Sequence, residues 1–146
     1  MTSMEHAPPH LVIRVIYEDL PDLIQIQTHL ASDEWRGMAC AYTSPVDLAE
    51  EADRVAKWTR ILEGESILEA GADTGIGWLH LTFRRTDRAG HVACRVVMVT
   101  GQDELFESRL SVAMRTEAGL VERFARELRS LAETRKGHAC LQLLPI

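Results

Sequence analysis

Between residues 23 and 30 the chain reads LIQIQTHL. Ile24, Ile26, Thr28 and Leu30 fall on one side, and Gln25, Gln27 and His29 on the other. This is the period of two that a half-buried strand requires. The stretch before it, LVIRVIYE at 11–18, is rich in β-branched residues and predicts a strand, with Leu20-Pro21-Asp22 as the turn between them. Ser32-Asp33-Glu34 ends the alternation. WRGMACAYT at 35–43 predicts a third strand, with Gly37 suited to a bulge.

The period then becomes helical. Ser44 suits an N-cap, Pro45 the first helical position, and Asp47 the closing of a capping box. Leu48, Ala52, Val55, Ala56, Thr59 and Leu62 form one apolar stripe, and Gly64 is the expected stop. Further strands are expected at 64–71, 76–84, 91–99 and 105–115. Thr116 is the expected cap of a second helix, whose stripe is Leu120, Phe124, Leu128 and Leu131, widened by Val121 and Ala132. Gly137 is a stop, and HACLQLLP supplies a last strand. The order is βββ-α-ββββ-α-β. Short turns pair consecutive strands antiparallel, and each apolar stripe must lie on a sheet. The expectation is an α+β fold: a curved antiparallel sheet of about seven or eight strands carrying two amphipathic helices. No internal repeat or linker is visible, so residues 11–146 read as a single domain after a disordered lead at 1–10.

The segment WLHLTFRRTDRAGHVACRVV at 78–97 holds His80, His91 and Cys94 and raises the question of a metal site. Paired as a hairpin with Leu79 opposite Val96, Leu81 opposite Cys94 and Phe83 opposite Val92, it puts the apolar residues on one face. The other face carries Trp78, His80, Thr82 and Arg84 with His91, Ala93, Arg95 and Val97. His80 and His91 are then about 13 Å apart along the strands. That is too far for one metal ion, and Cys94 points the opposite way. No metal or cofactor is expected.

Composition narrows the function classes. The chain has 146 residues and no apolar run near the roughly 20 that span a membrane. No basic and then apolar leader is visible at the N-terminus, so a cytoplasmic protein is expected. Cys40, Cys94 and Cys140 are too scattered for a disulfide framework and read as small buried hydrophobes. Residues 1–75 hold 5 Lys/Arg against 14 Asp/Glu and residues 76–146 hold 11 against 8, balances of −9 and +3. The acidic half argues against nucleic-acid binding through a broad basic face and suits a basic partner.

No catalytic signature appears. Gly75-Ile76-Gly77 opens a strand rather than a helix and lacks a dinucleotide fingerprint. Ser44, Ser66, Ser108 and Ser111 have no nucleophile-elbow context, and Cys140 beside His138 lacks the setting of a nucleophile. Trp35 and Trp78 are candidate interface anchors, although a second helix covering them is an equal alternative.

The TSPVDL helix start, the WLHLTFRRTDRAGHV hairpin, the TEAGLVERFARELRSL helix and the closing GHACL strand together resemble the WapI-type bacterial immunity proteins and related small bacterial families, over about residues 11–143. The resemblance implies a non-enzymatic cytoplasmic protein that neutralises a cognate toxin by surface complementarity, and it supplies no catalytic residues. A basic, nuclease-type toxin fits the acidic half. The expected partner-binding residues are Asp22, Asp33, Glu34, Trp35, Glu50, Asp53, Trp78, His80 and His91. Two other readings stay open: a small-molecule-binding or enzymatic domain with a pocket between sheet and helices, and a homodimer formed through a strand edge or the mixed hairpin face.

Overall fold

The structure, a computed structural model, describes residues 8–19, 21–73, 76–101 and 104–145. Its elements are β1 (His10–Asp19), β2 (Leu23–Ala31), β3 (Arg36–Thr43), α1 (Pro45–Ile61), β4 (Glu65–Gly71), β5 (Trp78–Arg85), β6 (His91–Thr100), β7 (Ser108–Glu117), α2 (Ala118–Thr134) and β8 (Ala139–Gln142). This is the α+β order that the periodicity predicts. The expectation of one curved sheet is corrected. The strands form two four-stranded antiparallel sheets, β3-β2-β1-β8 and β4-β5-β6-β7. Each helix carries the chain out of the sheet it was building, so that β4 pairs with β5 and β8 with β1.

That exchange reveals a duplication. Each half is a three-stranded meander, a helix and a fourth strand, and the fourth strand joins the other half's sheet. Matching the pairing registers sets Leu11 against Leu79, Thr28 against Val96, Ala39 against Val112 and Arg36 against Arg109. α1 and α2 each have 17 residues and end alike. Leu62 and Arg135 take left-handed caps, each with φ 58° and its N–H donating to the carbonyl four residues back. Gly64 and Gly137, the expected stops, each follow two residues later, also at positive φ. The change in charge along the sequence falls in the 72–77 connection between the halves.

The two inner sheet faces and the helices share one core. Leu11, Ile13 and Ile26 meet Leu79, Leu81 and Phe83, together with Leu48 and Val55 of α1 and Phe124 and Leu128 of α2. Fully burying each such side chain contributes about 1.5–3 kcal/mol. Trp58 is buried against Phe83, and its Nε1 donates to the Glu63 carbonyl. The helices pack on each other, α1 also on β4 and α2 also on β8. Glu51 Oε1 accepts from the Glu69 N–H at 2.7 Å, and Glu127 Oε1 from the Cys140 N–H at 2.9 Å. A helix carboxylate thus occupies a backbone donor on each outer fourth strand, where an open edge would otherwise invite pairing.

Several local expectations change. Ser44 does cap α1, its Oγ accepting from the Asp47 N–H at 3.0 Å. Thr116 does not cap α2; it is buried at the end of β7 and donates to the Gln142 carbonyl. Gly37 is not a bulge, since β2 and β3 pair without a shift; a Cβ there would come within 2.5 Å of Leu110 Cδ2. The bulge lies in β1, between Val15 and Tyr17. In the hairpin, Leu79 faces Met98, Leu81 faces Val96 and Phe83 faces Cys94. This register differs by two residues from the expected one, so every side chain keeps its face. Of the lead, residues 1–7 lie outside the described residues, whereas Pro9 is buried and His10 opens β1.

Candidate partner interface

The first turns of α1 face the outer edge of β4 across a cleft of about 550 Å³. Asp47, Glu50, Glu51 and Glu69 line it with Arg54, while Tyr42, Ile76 and Gly77 supply its rim. The helix start puts acids there because Ser44 and Pro45 fix where the helix begins and the macrodipole favours negative charge in its first turn. The alternation of β4 turns Glu69 outward.

One contact chain organises the cleft. Arg54 pairs with Glu51 Oε2, the other oxygen of Glu51 holds the Glu69 backbone, and Glu69 Oε2 accepts from Trp78 Nε1 at 2.6 Å. Trp78 in turn lies against His80, with ring centroids 5.0 Å apart. The cleft therefore continues over β4 onto the outer face of the second sheet. Four carboxylates against one guanidinium leave it strongly negative. On the rim, Gly77, at φ 87°, lies so close to β3 that a Cβ would meet the Cys40 carbonyl oxygen at 1.8 Å.

The structure brings together only some of the expected interface residues. Glu50 is exposed in the cleft, and Trp78 and His80 adjoin it, half-buried. Among the described residues no helix covers the outer face of the second sheet, where Arg84 and Arg95 are exposed. Asp53 lies farther along α1 and pairs with Arg129 of α2. Asp22 sits in the β1–β2 turn, and Asp33, Glu34 and Trp35 in the β2–β3 turn, where Ser32 N–H donates to the Trp35 carbonyl. His91 opens β6, and its Nδ1 lies 2.7 Å from Asp87 Oδ2 of the β5–β6 turn. The hydrogen bond to the His91 side chain holds the Asp87 carboxyl below its ordinary value, aided by the backbone N–H groups of His91 and Ala89. Thr86 pairs with His91, so His80 and His91 are about 20 Å apart along the strand. Among the described residues no three His, Cys, Asp or Glu side chains gather in a metal-holding group.

Glu51, Glu69, Asp47 and Tyr42 are the cleft residues that sequence reasoning missed. The outward phase of Glu69 on its strand was a readable signal; its approach to α1 was not. The cysteines correct another expectation. Cys94 is buried and its thiol is pushed up to about 12 by burial, but Cys40 and Cys140 are only half-buried, on the outer face of the first sheet. Burial, and then the Glu127 carboxylate, raise the Cys140 thiol as well, which opposes nucleophilic use.

Among the described residues no helix is long and apolar enough to cross a membrane. No family model matches the chain, and neither a curated protein nor a solved structure matches it.

Proposed function

We propose that this chain is a non-enzymatic protein-binding module that captures a basic protein partner, as an immunity protein captures its toxin. The observation that carries this reading is the acidic cleft between α1 and β4, rimmed by Tyr42 and Ile76 and continuous with Trp78. Opposite potential steers encounter, and an aromatic anchor beside partly desolvated charges supplies specificity. Glu50, Glu69 and Trp78 are the contact residues. Asp53 acts within the fold by tying α1 to α2.

Co-expression with the toxin-domain protein encoded beside the chain tests this reading. The wild-type chain is expected to restore growth, and the Glu50→Lys/Glu69→Lys variant is expected to fail. Growth arrest that the wild type leaves untouched, or equal rescue by the variant, overturns it. A neighbour without a toxin domain removes the immunity assignment.

The reading of a ligand pocket between sheets and helices has less support. That space is occupied by Leu48, Val55, Phe83, Phe124 and Leu128, all fully buried.

A further inference from the structure

The duplication lets one half of the molecule be compared with the other. On the outer face of the second sheet the row Trp78–Val99–Arg109 crosses β5, β6 and β7. This row is closed. Val99 is buried, Trp78 is held by Glu69, and Arg109 is taken by the carboxylates of Asp73 and Glu107. The equivalent row on the first sheet is His10–Ala31–Arg36. Here imidazole replaces indole and a methyl group replaces isopropyl. No carboxylate reaches Arg36 among the described residues; Glu34, at the position of Glu107, does not pair with it.

The substitutions open a concavity of about 590 Å³. Ala31 is at its floor, with His10 and Arg36 on either side about 10 Å apart, two strand spacings. His29 and Met38 form the next row. Among the described residues no carboxylate lines the concavity. Arg14 and Arg36, the only arginines on the strands of the first half, both belong to this face of an otherwise acidic half.

We infer that this face is a second interaction surface and that its occupant is a protein partner presenting an acidic side chain to Arg36, between His10 and His29. Arg109 shows what a guanidinium at this position takes in this fold, namely carboxylates. The planar fork of arginine matches a carboxylate's two oxygens. A protein is favoured over a free carboxylate by the rim. Met38, which lines the concavity, is 49% exposed, apolar surface that a small anion leaves uncovered. Among the described residues the lining has Arg and Met but no Lys, Asp or Glu, the composition of an interface centre. The surface is independent of the acidic cleft, which adjoins Tyr42 at the opposite end of β3.

The test is an NMR titration of the isotope-labelled chain with a capped hexaglutamate peptide at low salt, with citrate and inorganic phosphate as parallel arms. The peptide is expected to shift the amides of His29, Ala31 and Arg36, and to bind more tightly than either small anion. Arg36→Glu is expected to weaken it about tenfold or more, as loss of one charge-assisted partner does. His10→Trp/Ala31→Val, which copies the closed row, should do the same. Circular dichroism confirms that the variants fold, and Arg95→Glu on the other sheet should leave binding unchanged. Absence of shifts at millimolar peptide, equal binding of citrate or phosphate, or undiminished binding by folded Arg36→Glu overturns the inference.

Discussion

Trp78 Nε1 donates to Glu69 Oε2 across the outer edge of the second sheet, at 2.6 Å. This bond couples an aromatic anchor to the acid that lines the cleft, so the two should contribute to partner binding as a unit. Glu69→Ala and Trp78→Phe are each expected to weaken binding of a basic partner by about 1–3 kcal/mol, and the double variant by less than their sum. Calorimetric titration of the four proteins of this cycle measures it. Asp53→Ala should leave affinity unchanged and cost only about 0–1 kcal/mol of stability, because its pairing with Arg129 is solvent-exposed.

Thr28 faces the core with its hydroxyl buried and unpartnered, and the other half of the molecule has Val96 at the same place. Thr28→Val should therefore stabilise the fold by about 1 kcal/mol, by removing an unsatisfied polar atom while keeping the shape. The urea midpoint should rise with an unchanged denaturant slope; a fall in the midpoint contradicts this account.

Gly77 has no room for a side chain and a backbone angle that disfavours one. Gly77→Ala should cost about 2–4 kcal/mol, combining left-handed strain with a collision against the Cys40 carbonyl. Thermal unfolding measures it. Gly64→Ala has similar strain but open space, and should cost less.

Asp87 provides a pH test. Its carboxyl is held below the ordinary value of 3.8 chiefly by the His91 side chain. A depressed carboxyl contributes stability that is present above the unfolded value and is lost as pH falls through the folded one. Asp87→Asn should thus lower the unfolding midpoint at neutral pH and converge with the wild type in acid. Parallel curves throughout would place the stabilisation elsewhere.

The elements and their order were legible because period and capping residues are local signals. Ser44 announced α1, and the alternation of 23–30 announced β2. Pairing was less legible. A two-residue slip in the 78–97 hairpin preserves which side chains are buried, so apolar patterning cannot distinguish the two registers. The division into two sheets depends on β4 reaching β5 and β8 reaching β1. The second of these contacts joins opposite ends of the chain. The duplication was hidden because little beyond burial is shared: with the helices aligned, Ala52 and Ala125 are their sole identical pair. In the candidate site, Glu50 and Trp78 could be read from exposure and aromatic character. Glu51 and Glu69 could not, because their meeting requires the helix to be docked on the strand.

The exchanged fourth strands mean that the folding units do not coincide with the sequence halves. A chain cut in the 72–77 connection should yield fragments that each lack the strand completing their own sheet and carry the strand completing the other's. Either fragment alone can satisfy that demand only by trading β4 or β8 with a second copy of itself. The intact chain makes the trade internally, so the connection acts as a tether that replaces dimerisation with a single-molecule event. Opening of either helix would then loosen both sheets together, and the two faces offered to partners would lose their shape in one cooperative step.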